Sequence, residues 1–134
     1  MGRDVLKTLE GFIGGAQLRC MVDGCRGEEG DYFKGKLSEM ADTVATMPDT
    51  YGQESLGNLA VVHLHYFVGA CDWHITERDC DPDGQGQIQA FGVANLGYGA
   101  ELGYISIQEI LANGGELDLH WAPKTLKEVA RDGV

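Results

Sequence analysis

AVVHLHYFV (residues 60–68) and WHITE (residues 73–77) are the two runs that decide the fold class. Both are rich in β-branched and aromatic side chains, which suit a pleated, half-buried surface, and a short Gly-Ala-Cys-Asp segment joins them. They read as a β-hairpin turning at 69–72. A second turn at 79–86 leads to IQAFGVANL (residues 88–96), a third strand. Strands linked by such short turns form an antiparallel meander, because a parallel pair needs a crossover of about a dozen residues or more.

Helical patterns flank the meander. Upstream, residues 28–47 carry Phe33, Leu37, Met40, Val44 and Met47 at i, i+4, i+7, i+11 and i+14, one continuous apolar stripe. Glu28, Glu29 and Asp31 suit its first turn through the helix dipole, and Pro48 stops it. A shorter helix is expected over 4–13, where Val5, Leu6, Leu9, Phe12 and Ile13 keep helical spacing until Gly14-Gly15. The apolar stretch 17–22 shows no decisive period, and 49–58 is a polar loop. Downstream, LGYGAELGY (96–104) reads as a glycine-rich connection. Ser106 and Glu109 form a capping box that opens a short helix to Asn113. In ELDLHW (116–121) polar and apolar residues alternate, placing Glu116, Asp118 and His120 on one strand face. Pro123 at a first helical position, with Thr125 and Glu128 as a second capping box, begins a helix to Arg131. The whole is an α+β pattern: a small antiparallel sheet with a long N-terminal helix and short C-terminal helices, in a single domain over 1–134.

Charge narrows the function classes. Twenty-one acids against ten bases give a formal charge of −11 and a pI near 4.6. Such a surface repels phosphate backbones and anionic lipid, so neither nucleic acid nor a membrane is an expected direct partner. The electrostatic complement is a basic protein, including the positive face of a nucleic-acid-binding host protein. Solubility alone also accounts for an acidic surface. No Lys or Arg occurs from Asp79 through Pro123, so Asp79, Asp81, Asp83, Glu109 and Glu116 are the candidate docking carboxylates. The opening MGRDVLKTLEGF has no apolar run of signal-peptide or membrane length, and a cytoplasmic location is expected.

The motifs with chemical meaning are each incomplete. Asp79, Asp81, Asp83 and Gly84 copy the start of a calcium loop, but Ala90 stands where the bidentate Glu belongs, so at most weak binding is expected. Gly97, Gly99 and Gly103 miss the dinucleotide fingerprint at Leu102, and no P-loop Lys follows. None of Ser38, Ser55 and Ser106 sits in a G-x-S-x-G elbow. A cysteine–histidine pair, or acid–base work by Asp118 and His120, is the remaining catalytic option, and no cofactor is called for. The alternative to docking is a metal. A hairpin turning at 69–72 pairs Phe67 with His74 and His65 with Thr76, which puts His63, His65 and His74 on one face with Cys71 at the tip. Three nitrogens and a thiolate suit zinc. The plainer account is a polar sheet face that carries histidines without metal.

From His63 onward the chain carries, in order, the blocks Asp72-Trp73, Phe91-Gly92, Leu96-Gly97, Glu101-Leu102-Gly103-Tyr104 and Asp118-Leu119-His120-Trp121, with Pro123 and Leu126. In these the chain resembles a family of small plasmid- and phage-borne bacterial proteins of unknown function, over about residues 60–130. The first 55 or so residues form a helical extension outside the resemblance. The resemblance implies a cytoplasmic bacterial protein from a mobile element, with an α+β fold and no assigned activity. In physical terms Trp73, Phe91 and Trp121 are then core aromatics, Gly97 and Gly103 turn positions, and Glu101 and Asp118 loop-fixing carboxylates. Small acidic proteins of mobile elements suggest, by analogy of context, an inhibitor of a host defence nuclease or effector complex. The resulting expectation is a non-enzymatic acidic binding protein.

A reducing compartment keeps thiols free. Thiol titration of denatured protein, purified without reductant and away from air, should count all four cysteines. A count of zero would mean two disulfides and overturn the cytoplasmic expectation.

Overall fold

Three helices precede the first strand, one more than apolar periodicity places there. In the computed structural model, which describes residues 3–79, 87 and 89–131, these are α1 (Arg3–Leu9), α2 (Gly15–Gly24) and α3 (Gly30–Thr46). Of the α3 stripe, Leu37, Met40, Val44 and Met47 are buried and Phe33 packs at its margin. The ambiguous stretch 17–22 lies inside α2. Gly14 is the N-cap of that helix, so the two glycines that end one helical pattern also open the next. Pro48 follows α3 as expected, and two short 3₁₀ turns within Glu54–Leu59 meet at Gly57 (φ +56°).

Strands follow in the order β1 (Val61–Val62), β2 (Leu64–Val68), β3 (Cys71–Glu77), β4 (Ala90–Asn95) and β5 (Ala100–Ile105). Then come α4 (Ile107–Ala112), β6 (Glu116–Leu117), β7 (Lys124–Thr125) and α5 (Leu126–Arg131). The main sheet has the order β5-β4-β3-β2-β6, and all four pairings are antiparallel. β1 and β7 form a separate two-stranded ribbon. This is the expected α+β meander, with β6 added beside β2.

Four local expectations are corrected. The glycine-rich 96–104 segment is not only a connection, because its second half is β5. Positive φ at Gly97 (+96°) and Gly99 (+107°) confines the turn to its first half, while Gly103 lies within β5 opposite Gly92. The hairpin turn is Gly69-Ala70 alone, with Gly69 at φ +56° and Cys71 already paired to Val68. The ELDLHW strand ends after Leu117, where Asp118 bends the chain by accepting the His120 N–H at 2.9 Å. Pro123 does not open α5. Thr125 caps that helix instead, its Oγ1 accepting from Glu128 N–H (3.2 Å) while Glu128 Oε1 accepts from Thr125 N–H (3.1 Å). Ser106 caps α4 as expected, accepting from Glu109 N–H at 3.0 Å.

One buried cluster joins helices and sheet. It takes Leu9 of α1, Phe12 and Ile13 after it, Met21 of α2, the α3 stripe, and Leu64, Tyr66, Ile75, Ile105 and Leu117 from the sheet. Each fully buried aliphatic or aromatic side chain contributes about 1.5–3 kcal/mol by leaving water. Tyr66 is completely buried, and its hydroxyl donates to the Phe12 carbonyl, so the one polar atom it brings is satisfied. Gly92 permits the closest backbone approach in the sheet. A Cβ there would lie 2.0 Å from the His74 carbonyl oxygen, whereas nothing lies within 4 Å of one at Gly103. Gly92→Ala should therefore cost about 1–3 kcal/mol of stability and Gly103→Ala less than about 0.5. Denaturant titration of both variants checks this, and equal midpoints would contradict it.

Candidate functional site on the open sheet face

β2 and β3 pair so that His65 lies directly opposite His74 and Phe67 opposite Asp72. Strand alternation sends Leu64, Tyr66, Trp73 and Ile75 to the helices, and His65, Phe67, Asp72 and His74 to the other face. Register carries that second face across Phe91, Val93 and Asn95 on β4 to Leu102 and Tyr104 on β5, with Glu116 of β6 opposite Phe67. No helix covers it. Leu102 is 62% exposed and Tyr104 56%.

The chain after β6 folds back over one end of this face. Asp118 N–H donates to the His65 carbonyl at 2.8 Å. Trp121 donates its indole N–H to the Val62 carbonyl (2.9 Å), and its ring lies 5.2 Å from that of His65 and 5.4 Å from that of His74. The Lys124 ammonium sits 5.0 Å above Trp121, a cation–π contact.

His65 is held from both sides. Its Nδ1 is 2.9 Å from Asp118 Oδ2 and its Nε2 2.6 Å from Asp72 Oδ1. A protonated imidazole donates to both carboxylates at once, a neutral ring to only one. The ring thus straps the returning loop to the hairpin. His74 stacks on it, with centroids 4.6 Å apart and planes 15° from parallel. His74 is 1% exposed, and among the described residues its Nε2 has no hydrogen-bond partner. Burial, reinforced by His65, pushes its pKa down to about 4, with Lys124 adding to the lowering and Asp72 and Asp118 opposing it. Burial also lowers the pKa of His63, against the opposing pull of Glu77.

The expected metal cluster is not assembled. Pairing differs by two residues from the expected register, so the His65–Thr76 and Phe67–His74 pairs give way to His65–His74 and Phe67–Asp72. A shift of two preserves the face, and His65 and His74 do share it. Cys71, three residues before His74, lies on the helix-facing side instead. Carboxylates occupy both nitrogens of His65. Among the described residues, no three His, Cys, Asp or Glu side chains converge as a metal-holding group.

The expected docking carboxylates lie on separate elements. Glu109 is exposed in the first turn of α4 and Glu116 on edge strand β6. Asp79 is tied into its loop, its Oδ2 accepting from Gln89 N–H at 3.0 Å. Asp81 and Asp83 lie outside the described residues, as does Cys80, while Cys20, Cys25 and Cys71 are free thiols. Asp118 fixes a loop as expected, whereas Glu101 is exposed on β5. Of the aromatics assigned to the core, Trp73 packs against it, but Phe91 and Trp121 belong to the open face. Sequence reasoning missed Asp72, Glu77 and Tyr51 as parts of this face. The Asp72-Trp73 block was the one signal for the first of them.

An acid-rich α+β protein with a half-open antiparallel sheet is the class these observations define. The chain belongs to the family described as "Protein of unknown function (DUF2958)", whose match covers residues 35–122. It takes in most of α3, the whole main sheet and the His65 strap. No curated protein and no solved structure matches the chain.

The low pKa of His74 links folding to pH. Its ordinary value is 6.5, so between pH 6.5 and about 4 the unfolded chain binds a proton that the folded chain refuses. This contribution to stability is complete above pH 6.5 and is lost as the pH falls toward 4, by up to about 1.4 kcal/mol per pH unit. Stability curves of the wild type and His74→Phe should diverge in slope over that window. Parallel curves would show that His74 is not buried as the neutral ring.

Proposed function

We propose that this protein is a non-enzymatic binding protein whose open sheet face docks on a basic protein partner. The observation that carries this is the exposure of apolar and aromatic groups on a face whose strands β4, β5 and β6 carry no Lys or Arg. Leu102, Tyr104 and Tyr51 stand out from the sheet, Phe67 lies between Asp72 and Glu116, and Leu96 and Tyr98 are exposed in the β4–β5 turn. No Lys or Arg occurs in the sequence from Asp79 through Pro123. Exposed aromatics of this kind supply most of the energy at protein interfaces, and the surrounding carboxylates steer a basic surface into register. Among the described residues, no helix is long and apolar enough to cross a membrane.

A nucleic-acid-handling host protein presents the required basic surface. Inhibition of a defence nuclease or effector complex is the role in which a small acidic protein of a plasmid or phage would use it, by occupying the surface that nucleic acid otherwise covers.

The test is affinity for a purified basic partner taken from a bacterial host lysate. Leu102→Asp and Tyr104→Ala should each weaken binding at least about tenfold; Leu102→Asp should leave the melting midpoint nearly unchanged, whereas Tyr104→Ala also loses the contacts with Tyr51 and Phe91. Glu109→Lys and Glu116→Lys should slow association mainly at low salt, within a Debye length of roughly 8 Å at physiological ionic strength. If the open-face variants bind like the wild type, the acidic surface serves solubility and the reading fails.

A further inference from the structure

Residue Glu77 closes β3, and simple alternation from Ile75 would turn it toward the helices. A bulge prevents this. Ile75 pairs with Gly92 while Glu77 pairs with Phe91, so one extra residue enters β3 between them. Bulges re-aim side chains in this way. Glu77 is thereby set on the Phe91 side, where it lines a cavity of about 290 Å³ together with Tyr51, Gln53, Thr76, Leu102 and Leu126.

The cavity is largely apolar and aromatic, with Gln53, Thr76 and the Glu77 carboxyl group as its polar lining. Glu77 is 3% exposed. Its Oε2 accepts from the Thr76 hydroxyl, and its Oε1 has only a long contact with Gln53 N–H, at 3.4 Å. A carboxylate can accept about four hydrogen bonds, so half of that capacity is unused. Gln53 cannot supply more. Its side-chain amide already donates to the carbonyls of Val61 (2.9 Å) and Thr76 (2.8 Å), and its Oε1 accepts from Val61 N–H (2.6 Å). Arg78, the next residue in sequence, is directed to Asp49 at 3.0 Å. Among the described residues no Lys or Arg forms an ion pair with Glu77. A buried carboxylate without a cation is costly.

Aromatic rings frame the opening. Tyr51 and Tyr104 are joined through their hydroxyls, and Tyr104 meets Phe91 edge-on with centroids 5.6 Å apart. Tyr51 holds φ at +75°, a conformation unfavourable for a bulky side chain. It is kept there by Thr50, whose N–H and hydroxyl both bond the Arg78 carbonyl (2.8 and 3.0 Å), and by a Gly52 N–H to Asp49 carbonyl turn at 2.8 Å. Strain of this sort persists where the surrounding structure holds a residue at a site.

We infer that this cavity binds a cationic group on an aliphatic stem, an alkylammonium or alkylguanidinium, with Glu77 as its counter-ion. The stem fits against Leu102, Leu126 and Phe91, the charge meets the open lone pairs of Glu77, and Tyr51 and Phe91 offer ring faces to the cation. Two sources share this chemistry: a Lys or Arg side chain of a docked partner, and a free small amine. The first deepens the docking proposal and rests on it; binding of the isolated group does not.

The experiment is an NMR titration of the full chain with n-butylguanidinium, n-butylammonium and, as the neutral control, n-butanol. The cations should shift the resonances of Tyr51, Phe91 and Leu102 saturably, and butanol should bind at least about tenfold more weakly. Glu77→Gln should lower cation affinity by a similar factor. Leu102→Trp, an exposed change that fills the opening and leaves Glu77 in place, should abolish binding even if Glu77→Gln folds poorly. Glu116→Gln should have no effect. Equal binding of butanol and the cations, unchanged affinity in Leu102→Trp, or shifts confined to the outer carboxylates would overturn the inference. With a purified partner the sources separate. Loss of partner affinity in Glu77→Gln identifies the occupant as a partner side chain, while saturable cation binding beside unchanged partner affinity identifies a free amine. In the latter case the docking face stands or falls on Leu102→Asp alone.

Discussion

His65 and His74 face one another across β2 and β3, and the rest of the sheet takes its bearings from that pairing. It places Leu64, Tyr66, Trp73 and Ile75 under the helices, where the core cluster needs them. It also brings Asp72 within reach of His65, so that the ring can bridge to Asp118 and hold the returning chain down. A slip of one residue would exchange the two faces, burying the histidines and carboxylates against α3 and exposing the core. Gly92 is part of the same constraint, since only a residue without Cβ lets β4 approach the His74 carbonyl.

The two faces of the sheet are maintained by different forces. On the helix side the stabilisation is burial of apolar area, with Tyr66 satisfied by the Phe12 carbonyl. On the open side it is a small polar network of high specificity: His65 between two carboxylates, Trp121 laid over the ring pair, and Lys124 over Trp121. That network closes one end of the face and leaves the β4–β5 end uncovered. Leu102 and Tyr104 are exposed at that uncovered end, and Leu102 also lines the Glu77 cavity. Two groups buried at a cost, His74 and Glu77, which among the described residues have respectively no partner for Nε2 and no Lys or Arg ion pair, sit on this side of the sheet and not in the helical core.

Much of the architecture was legible locally. The α3 stripe follows from spacing alone, because a helix repeats its face every three to four residues. The caps at Ser106 and Thr125 follow from side chains that satisfy free N–H groups within three residues. The antiparallel meander follows from turns too short for a crossover. β5 was missed because Gly97, Gly99 and Gly103 mask a strand whose stability comes from pairing with β4 and not from its own side chains. The break after Leu117 was missed because Asp118, alternating correctly for a strand, instead accepts the N–H of His120.

The candidate sites divide along the same line. Residue types and periodicity by themselves determined the fold class, the acidic charge, the absence of Lys and Arg from Asp79 through Pro123, and the shared face of His65 and His74, because each depends on composition or on contacts within a few residues. Tertiary structure alone decided that Asp72 and Asp118 would claim both nitrogens of His65, that Cys71 would face the helices, and that a single bulged residue would turn Glu77 into an aromatic cavity. Those outcomes depend on register between segments distant along the chain, where one residue more or less reverses the direction of every side chain and no local pattern records it.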